Sequence, residues 1–484
     1  MNWKSVIKLL AYIMLFIGLL MLIPTSIAYY MEEKEALTGF IIAECMILLC
    51  SVPAIMMIGN KEELVIKARD SYLFVTLTWI LATFFGSIPL FYTKSCPTFS
   101  QCYFEIMSGF STTGATTFTV IEDKAKSILF WRSMTNWLGG MGIVVLFVAV
   151  LPLLGVKGTG LVGAESVGPT KDKLTPKIRY TAIALWSIYL AISFMEVVLL
   201  ALGGLDLYEA TTVTFATMGA AGFCIKNSSI GGFESLYVDI IVTIFMFLAG
   251  MNFALFFKIL QRKINKVIRD GEFRMYYIVV LLFTLLCAIN LTVSGVYTNF
   301  FTSIRYAVFQ VVSIVTTTGF ATQDYCLWPT FSKMLLLVLF FIGGCAGSAG
   351  GGIKVIRIRT LFTLGKNTLI RRLHPRAVVP ARIGDDFIAQ DTILGIAGFV
   401  GLYIATGLVG AVFFALSGMD MITCFSASFL CIGNVGIGFG AVGPTGNFSI
   451  FSDFILNVGS FLMLVGRLEL FTVYALFTRH FWRG

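Results

Sequence analysis

Long apolar runs and short polar breaks alternate along almost the whole chain. The apolar runs cover residues 6–30, 38–58, 72–92, 127–154, 178–202, 235–259, 276–296, 332–363, 391–416 and 450–479. A helix needs about 20 apolar residues to cross the ~30 Å hydrocarbon layer of a bilayer, so ten crossings are expected. Four further apolar tracts are too short to cross and too apolar for surface loops. They are TFSQCYFEIMSGFSTTG (98–114), DLYEATTVTFATMGAAG (206–222), SIRYAVFQVVSIVTTTG (303–319) and DMITCFSASFLCIGNVG (420–436), and they align without gaps. In each, a residue with a capping side chain (Thr98, Asp206, Ser303 or Asp420) stands sixteen positions before a glycine (Gly114, Gly222, Gly319 or Gly436).

Such caps accept hydrogen bonds from the open N–H groups of a helix's first turn. A helix of about 11–12 residues then runs on the order of 17 Å, half the hydrocarbon thickness. Its negative C-terminal end points at the bilayer centre and favours a cation there. The four glycines lie 108, 97 and 117 residues apart, room for two crossings and their linkers in each interval. The expected fold is therefore an all-α membrane protein. Four parallel span–pore helix–span repeats surround a central pore, preceded by a two-helix hairpin, with about ten transmembrane helices and four re-entrant pore helices. The expected divisions are 1–60 for the hairpin, then 61–155, 156–262, 263–382 (with an intramembrane loop) and 383–484 for the repeats.

Composition agrees. Of 484 residues, 57% are hydrophobic and 13% charged, with mean hydropathy +0.89, a balance that soluble domains do not carry. The hairpin start, 59–71, 155–179, 258–275, 354–382 and the C-terminus hold 26 of the 35 Lys and Arg. Both termini are therefore expected in the cytoplasm, which an even number of crossings satisfies. The net charge of +9 reflects this bias and is no argument for nucleic-acid binding. The first apolar run, after Lys4 and Lys8, exceeds a signal-peptide core and is expected to remain. Ten cysteines show no CxxC pair; Cys96 and Cys102 share the outer side and are expected as free thiols. There is no HExxH, GxSxG or P-loop, and the two histidines, His374 and His480, lie outside the spans. A transport protein without a cofactor is expected, not an enzyme.

After each pore helix the chain must run extended with carbonyls turned inward, which is tolerated at that depth only beside protein or water. Glycine supplies φ > 0 or close approach there. The carbonyls expected to form the filter belong to Thr112, Thr113, Ala220, Ala221, Thr317, Thr318, Asn434 and Val435. Two of the four repeats add hydroxyls.

The eighth run is interrupted by GGCAGSAGGG (343–352), six glycines in ten residues, each costing a helix interior about 1 kcal/mol relative to Ala. Close small-residue helix packing is one reading. The other is a flexible loop beneath the filter, with Gly343, Gly344, Gly347, Ser348, Gly350, Gly351 and Gly352 as gate residues. Arg467 lies at similar depth in the tenth run. A guanidinium there costs at least ~2.5–3.5 kcal/mol, so it needs water or partners. Loop carbonyls and a pore-facing position are both open to it, and Glu469 stands on the wrong helix face to pair with it. Glu105 and Glu196 are read as packing partners. The basic segment 354–382 serves topology or the docking of an acidic cytosolic protein.

STTGATTF (111–118), NWLGGMGIVVL (136–146), TTTGFAT (316–322), GGCAGSAGGGIKVIR (343–357) and GRLELFT (466–472) together resemble the TrkH family. These are membrane subunits of bacterial Trk potassium uptake systems within the Trk/Ktr/HKT superfamily. The resemblance covers nearly the whole chain, and the additional hairpin is similar to TrkH and unlike KtrB. It implies K+ as the transported ion, a homodimer in the bacterial cytoplasmic membrane, a gating role for the glycine-rich loop, and a cytosolic nucleotide-binding ring resembling TrkA. Two positions depart from the family pattern. AAGFC has no hydroxyl before Gly222, and Ile437 stands where proline is frequent. One glycine per filter, in place of TVGYG, implies fewer carbonyl rings and weaker K+/Na+ discrimination. Sodium permeation, and K+/Na+ or K+/H+ symport, stay open beside a channel.

Overall fold

The computed structural model describes residues 1–58, 67–142, 178–375, 382–383, 386–387 and 390–483. It is helical almost throughout. Among the described residues the only strand pairing is a two-residue antiparallel ladder, 382–383 with 386–387. Six described helices are long and apolar enough to cross a membrane. They are the hairpin, Trp3–Tyr30 and Lys34–Ile58, and the first span of each repeat: Ala68–Tyr92, Ile178–Leu202, Gly271–Val293 and Gln390–Ala415.

The second span of each repeat is not continuous. Lys126–Gly140 stops at Met141, and the rest of the expected 127–154 run lies outside the described residues. Leu236–Ala249 and Phe253–Leu260 meet at 95° across Gly250–Asn252. Thr330–Leu339 and Val355–Leu373 are separated by the glycine-rich segment. Asp453–Arg467 and Phe471–Ala475 are separated by Glu469 and Leu470, both at positive φ. Glycine composition announced only the third of these breaks. The others occur where helix ends must hand their unpaired carbonyls to neighbours, a tertiary requirement.

Four short helices follow the first spans: Phe99–Phe110, Leu207–Gly219, Phe300–Val315 and Met421–Gly433. Three start at the expected caps. Thr98 accepts from Gln101 N (3.3 Å), Asp206 from Glu209 N (2.6 Å) and Asp420 from Thr423 N (3.1 Å). The third helix corrects the expectation, since its cap is Asn299, accepting from Phe301 N at 3.0 Å. Ser303 sits one turn inside it, buried, and bonds to the Thr292 hydroxyl at 2.8 Å.

The repeats close a circle. The helix Lys126–Gly140 packs on the second pore helix, Leu236–Ala249 on the third, and Asp453–Arg467 on the first. The Thr98 hydroxyl donates to Asp453 Oδ1 at 2.7 Å across the closing seam. The hairpin packs outside this circle against Ala68–Tyr92 and Lys126–Gly140. Its turn residue Glu33 accepts from the N–H groups of Lys126 (2.7 Å) and Ser127 (3.1 Å), capping the second span of the first repeat.

A Cβ on Gly39 would meet the Pro89 backbone at 3.1 Å, so hairpin and first span pack through bare backbone. Gly39→Val is expected to destabilise the protein by ~1–3 kcal/mol through overpacking, read as a lower unfolding midpoint in detergent. At Gly18 a Cβ meets only the Ile47 side chain, at 3.4 Å. Gly18→Ala is therefore expected to be neutral or stabilising by up to ~1 kcal/mol.

Candidate functional site

The ends of the four pore helices are built alike. The residue two before each glycine is left-handed: φ is 57° at Thr112, 52° at Ala220, 60° at Thr317 and 51° at Asn434. This turn ends the helix and sends the next N–H back onto its last turn. Thr113 N reaches Ser108 O (2.8 Å), Ala221 N Ala216 O (2.9 Å), Thr318 N Ser313 O (2.8 Å) and Val435 N Leu430 O (3.1 Å). Positive φ or close approach is expected at the glycines themselves. Positive φ holds for Gly114 (83°), Gly319 (81°) and Gly436 (92°), whereas Gly222 is not left-handed. Three non-glycine, non-Asn residues therefore carry a strain of order 1–2 kcal/mol each, which persists only because the surroundings over-determine it.

What glycine supplies at all four positions is close approach. A Cβ on Gly114 would collide with Gly222 N. One on Gly222 would lie 2.6 Å from Gly319 O, one on Gly319 2.5 Å from Val435 O, and one on Gly436 2.5 Å from Thr113 O. Each turn thus abuts the next, and the fourth returns to the first. All eight expected filter residues are brought together here, at most 1% exposed.

Their hydroxyls do not simply line the opening. Thr113 Oγ1 pairs with Ser111 Oγ (2.8 Å) and accepts from Asn434 Nδ2 (3.0 Å), and Thr318 Oγ1 pairs with Thr316 Oγ1 (2.7 Å). Thr317 Oγ1 accepts from Gly351 N at 2.6 Å. The backbone carbonyls differ. Among the described residues, none of the eight from Thr112, Thr113, Ala220, Ala221, Thr317, Thr318, Asn434 and Val435 accepts a hydrogen bond within the protein. Buried carbonyls are nearly always paired, so eight left over in one ring call for another partner.

Above the ring lies a cavity of about 210 Å³, bordered by all four glycines. Its rim is tied repeat to repeat: Ile121 N to Asn227 Oδ1 (3.1 Å), Gly231 N to Ala321 O (3.1 Å), Tyr325 OH to Gly438 O (2.5 Å) and Phe448 N to Thr116 O (2.8 Å). Glu105 braces the strand leaving the first turn. It accepts from Thr117 N (2.7 Å) and Thr116 Oγ1 (2.8 Å) and pairs with Arg132 Nε at 2.6 Å. Arg132 in turn donates to Cys224 O of the second repeat (3.0 Å) and lies 3.7 Å from the centre of the Phe223 ring. The packing role read for Glu105 fits. Glu196 is buried beside Thr217, whose hydroxyl donates to Val213 O (2.9 Å) and not to the carboxylate. All ten cysteines are free thiols.

Beneath the ring the glycine-rich segment is a loop, which excludes the continuous small-residue helix. Cys345 N and Ala349 N bond to Gly250 O (2.9 Å) and Ala249 O (3.2 Å), the open carbonyls of the broken second-repeat span. A Cβ on Gly350 would lie 2.5 Å from Thr316 O, and one on Gly351 2.5 Å from Gly433 O, so the loop presses on two pore-helix ends. Gly343 and Gly344 close its base against Ile353 and Val355, and Gly347 O accepts from Phe253 N at 3.1 Å. Ser348 is buried, and its Oγ has no hydrogen-bond partner among the described residues. Arg467 spans the opening. It donates to Ala349 O (2.9 Å) in the loop and to Gly139 O and Gly140 O (3.1 Å for the latter) at the broken first-repeat span.

Three further groups here were not found from sequence. Glu272 Oε1 accepts from Ala346 N (2.7 Å) and Ile356 N (3.2 Å), pinning both arms of the loop. Lys354 is 1% exposed and donates to Gly350 O across the loop. Arg357 pairs with Glu469 at 2.6 Å. The charge pattern places Lys354 and Arg357 with the cytoplasmic segment 354–382, whereas the structure buries both. The side-chain partner of Glu469 in that pair, Arg357, is 112 positions away.

The whole chain is similar to known proteins. Residues 39–482 match the TrkH family model, described as "Cation transport protein". The Trk system potassium uptake protein TrkH of Escherichia coli K12 is 36% identical over 487 residues, covering 100% of both chains. The TrkG protein of the same strain is 33% identical over 474 residues, covering 96% of both. The crystal structure of the potassium transporter TrkH from Vibrio parahaemolyticus superposes with a TM-score of 0.89 at 34% identity, again covering 100% of both chains. These are transport proteins and not enzymes. The chain belongs to the TrkH family of cation transport proteins.

Proposed function

We propose that this chain takes up K+ across a bacterial cytoplasmic membrane through the glycine ring. The ring of eight buried carbonyls without internal partners carries the reading. A cation entering a membrane must exchange its water shell for other oxygens, and such a ring supplies them without protein rearrangement. Four pore helices aim their negative ends at the same place. K+ as the ion is supported by the names of the relatives, a potassium uptake protein and a potassium transporter. With one glycine per turn the filter is short, so Na+ is expected to permeate to some degree. The repeats divide at 61–155, 156–262, 263–382 and 383–484 after the 1–60 hairpin, and both termini face the cytoplasm.

The loop 343–352 is the gate in this reading, and Arg467 is its latch. The guanidinium holds Ala349 to the Gly139–Gly140 carbonyls and places a positive charge beneath the filter. Opening must break those bonds together with the Thr317–Gly351 bond at 2.6 Å, so a signal has to do work on the loop. A cytosolic nucleotide-binding ring resembling TrkA is the proposed source, acting on a homodimer through the basic residues of the segment 354–382 that follow the buried Lys354 and Arg357. We read the pathway as channel-like. Rb+ flux that vanishes without a Na+ or proton gradient would replace that reading with symport.

Gly222→Ala puts a Cβ 2.6 Å from the Gly319 carbonyl, where only backbone can give way. It is expected to reduce 86Rb+ uptake into proteoliposomes to background with the fold intact. Uptake within twofold of wild type would refute the pathway. Arg467→Ala removes charged hydrogen bonds worth ~1.5–3 kcal/mol each and is expected to raise resting Rb+ flux about tenfold or more. Unchanged resting flux from folded protein would remove Arg467 from gating.

A further inference from the structure

The cavity above the ring has an unexpected charge for the mouth of a cation pathway. Twenty-two described residues border it, and among them the only charged ones are Arg132 and Lys226. No carboxylate is among them. Arg132 is balanced by Glu105 at 2.6 Å. Lys226 is not balanced in this way: its ammonium donates to Gly232 O (3.0 Å) and lies 4.1 Å from the centre of the Phe233 ring. The neighbouring acid Glu122 turns both oxygens onto Asn227, one to its backbone N–H at 2.7 Å and the other to Nδ2. The lysine is therefore a positive charge tethered to the wall of the cavity that the four glycines also border.

We propose that Lys226 is a specificity-determining residue that keeps divalent cations out of the pathway while admitting monovalent ones. This rests on the ring being the cation pathway. A ring of carbonyls sized for K+ attracts a divalent ion of similar radius, such as Ba2+, at least as strongly, so the filter by itself invites divalent block. The repulsion from a fixed charge is proportional to the ion's own charge. A factor f in the local concentration of a monovalent ion therefore becomes f² for a divalent one. At a water-like dielectric, a unit charge at a separation on the order of 6–8 Å, about the scale of such a cavity, lowers a monovalent ion about two- to threefold and a divalent one about five- to tenfold. The cost in K+ flux is small and the gain in rejecting divalent ions is large. The carbonyl and ring contacts of Lys226 matter because a mobile side chain would swing out to bulk water, where salt screens it within about 10 Å.

The test is 86Rb+ influx into phosphatidylcholine vesicles carrying the full-length protein, with external Ba2+ as blocker. Lys226→Gln should lower the Ba2+ concentration for half-block five- to tenfold and the apparent Rb+ half-saturation by only the square root of that factor. Lys226→Arg should match wild type. In the wild-type protein, raising ionic strength with N-methyl-D-glucamine chloride should strengthen Ba2+ block, and in Lys226→Gln it should not. The wild-type salt series stands even if Lys226→Gln fails to fold. Equal shifts for Ba2+ and Rb+, no shift for either, or wild-type Ba2+ block that ignores salt would overturn the proposal. Failure of the underlying pathway would look different: Gly222→Ala would keep its Rb+ influx whatever Ba2+ does.

Discussion

Backbone meeting backbone at Gly114, Gly222, Gly319 and Gly436 is the constraint on which the molecule turns. With any side chain at those positions the four turns cannot abut, since an added Cβ falls within 2.6 Å of a neighbouring backbone oxygen at three of them and collides with an amide at the fourth. Because they do abut, the second spans of the first, second and fourth repeats are drawn against the next pore helix, and the fourth repeat closes on the first. The strain stored at Thr112, Ala220 and Thr317 makes sense only in this setting. The left-handed turn binds each following N–H backwards and thereby leaves the carbonyls without partners.

The layer beneath the ring follows from the same geometry. Helices that converge on a narrow ring must end or bend beneath it, and each interruption exposes carbonyls in a low-dielectric interior. Those of the first and second repeats, at Gly139, Gly140, Ala249 and Gly250, are met by Arg467 and by the N–H groups of the glycine-rich loop. The loop is thus the complement of the broken spans. Its rival partners, Glu272 and Lys354, are likewise buried and hydrogen-bonded. A segment held by many individually modest bonds, with six glycines and few side chains to repack, is suited to having two arrangements.

Above the ring the structure is arranged differently, by side-chain and backbone hydrogen bonds crossing between repeats. Glu105, Arg132, Asn227, Tyr325 and Phe448 tie the rim so that the strands leaving the turns are held from outside. The upper mouth is therefore braced, while the lower one is closed by a loop. That asymmetry places the many cross-repeat bonds above the ring and the glycine-rich segment below it.

Much of this was legible in the chain because it depends on local rules. Apolar length marked the spans, capping residues marked three pore-helix starts, and the even spacing of four glycines implied a four-fold plan. Capping misled at Ser303 because Asn299, one turn earlier, offers an equally good acceptor, and only the packing of Phe300–Val315 chose between them. Three of the four span breaks left little mark in composition, because a helix end is set by which neighbour accepts its open carbonyls. Arg467 was visible as a costly intramembrane charge, while Glu272, Lys354 and the Arg357–Glu469 pair were not. Their partners lie as far as 112 residues away, and a linear pattern does not record which distant groups burial will bring together. The chain alone thus determined where the apolar stretches lie and where the four short helices turn, since propensity and hydropathy act over a few residues. Tertiary structure alone decided which carbonyls remain unpaired, because pairing in a dry interior is settled by what lies across the gap.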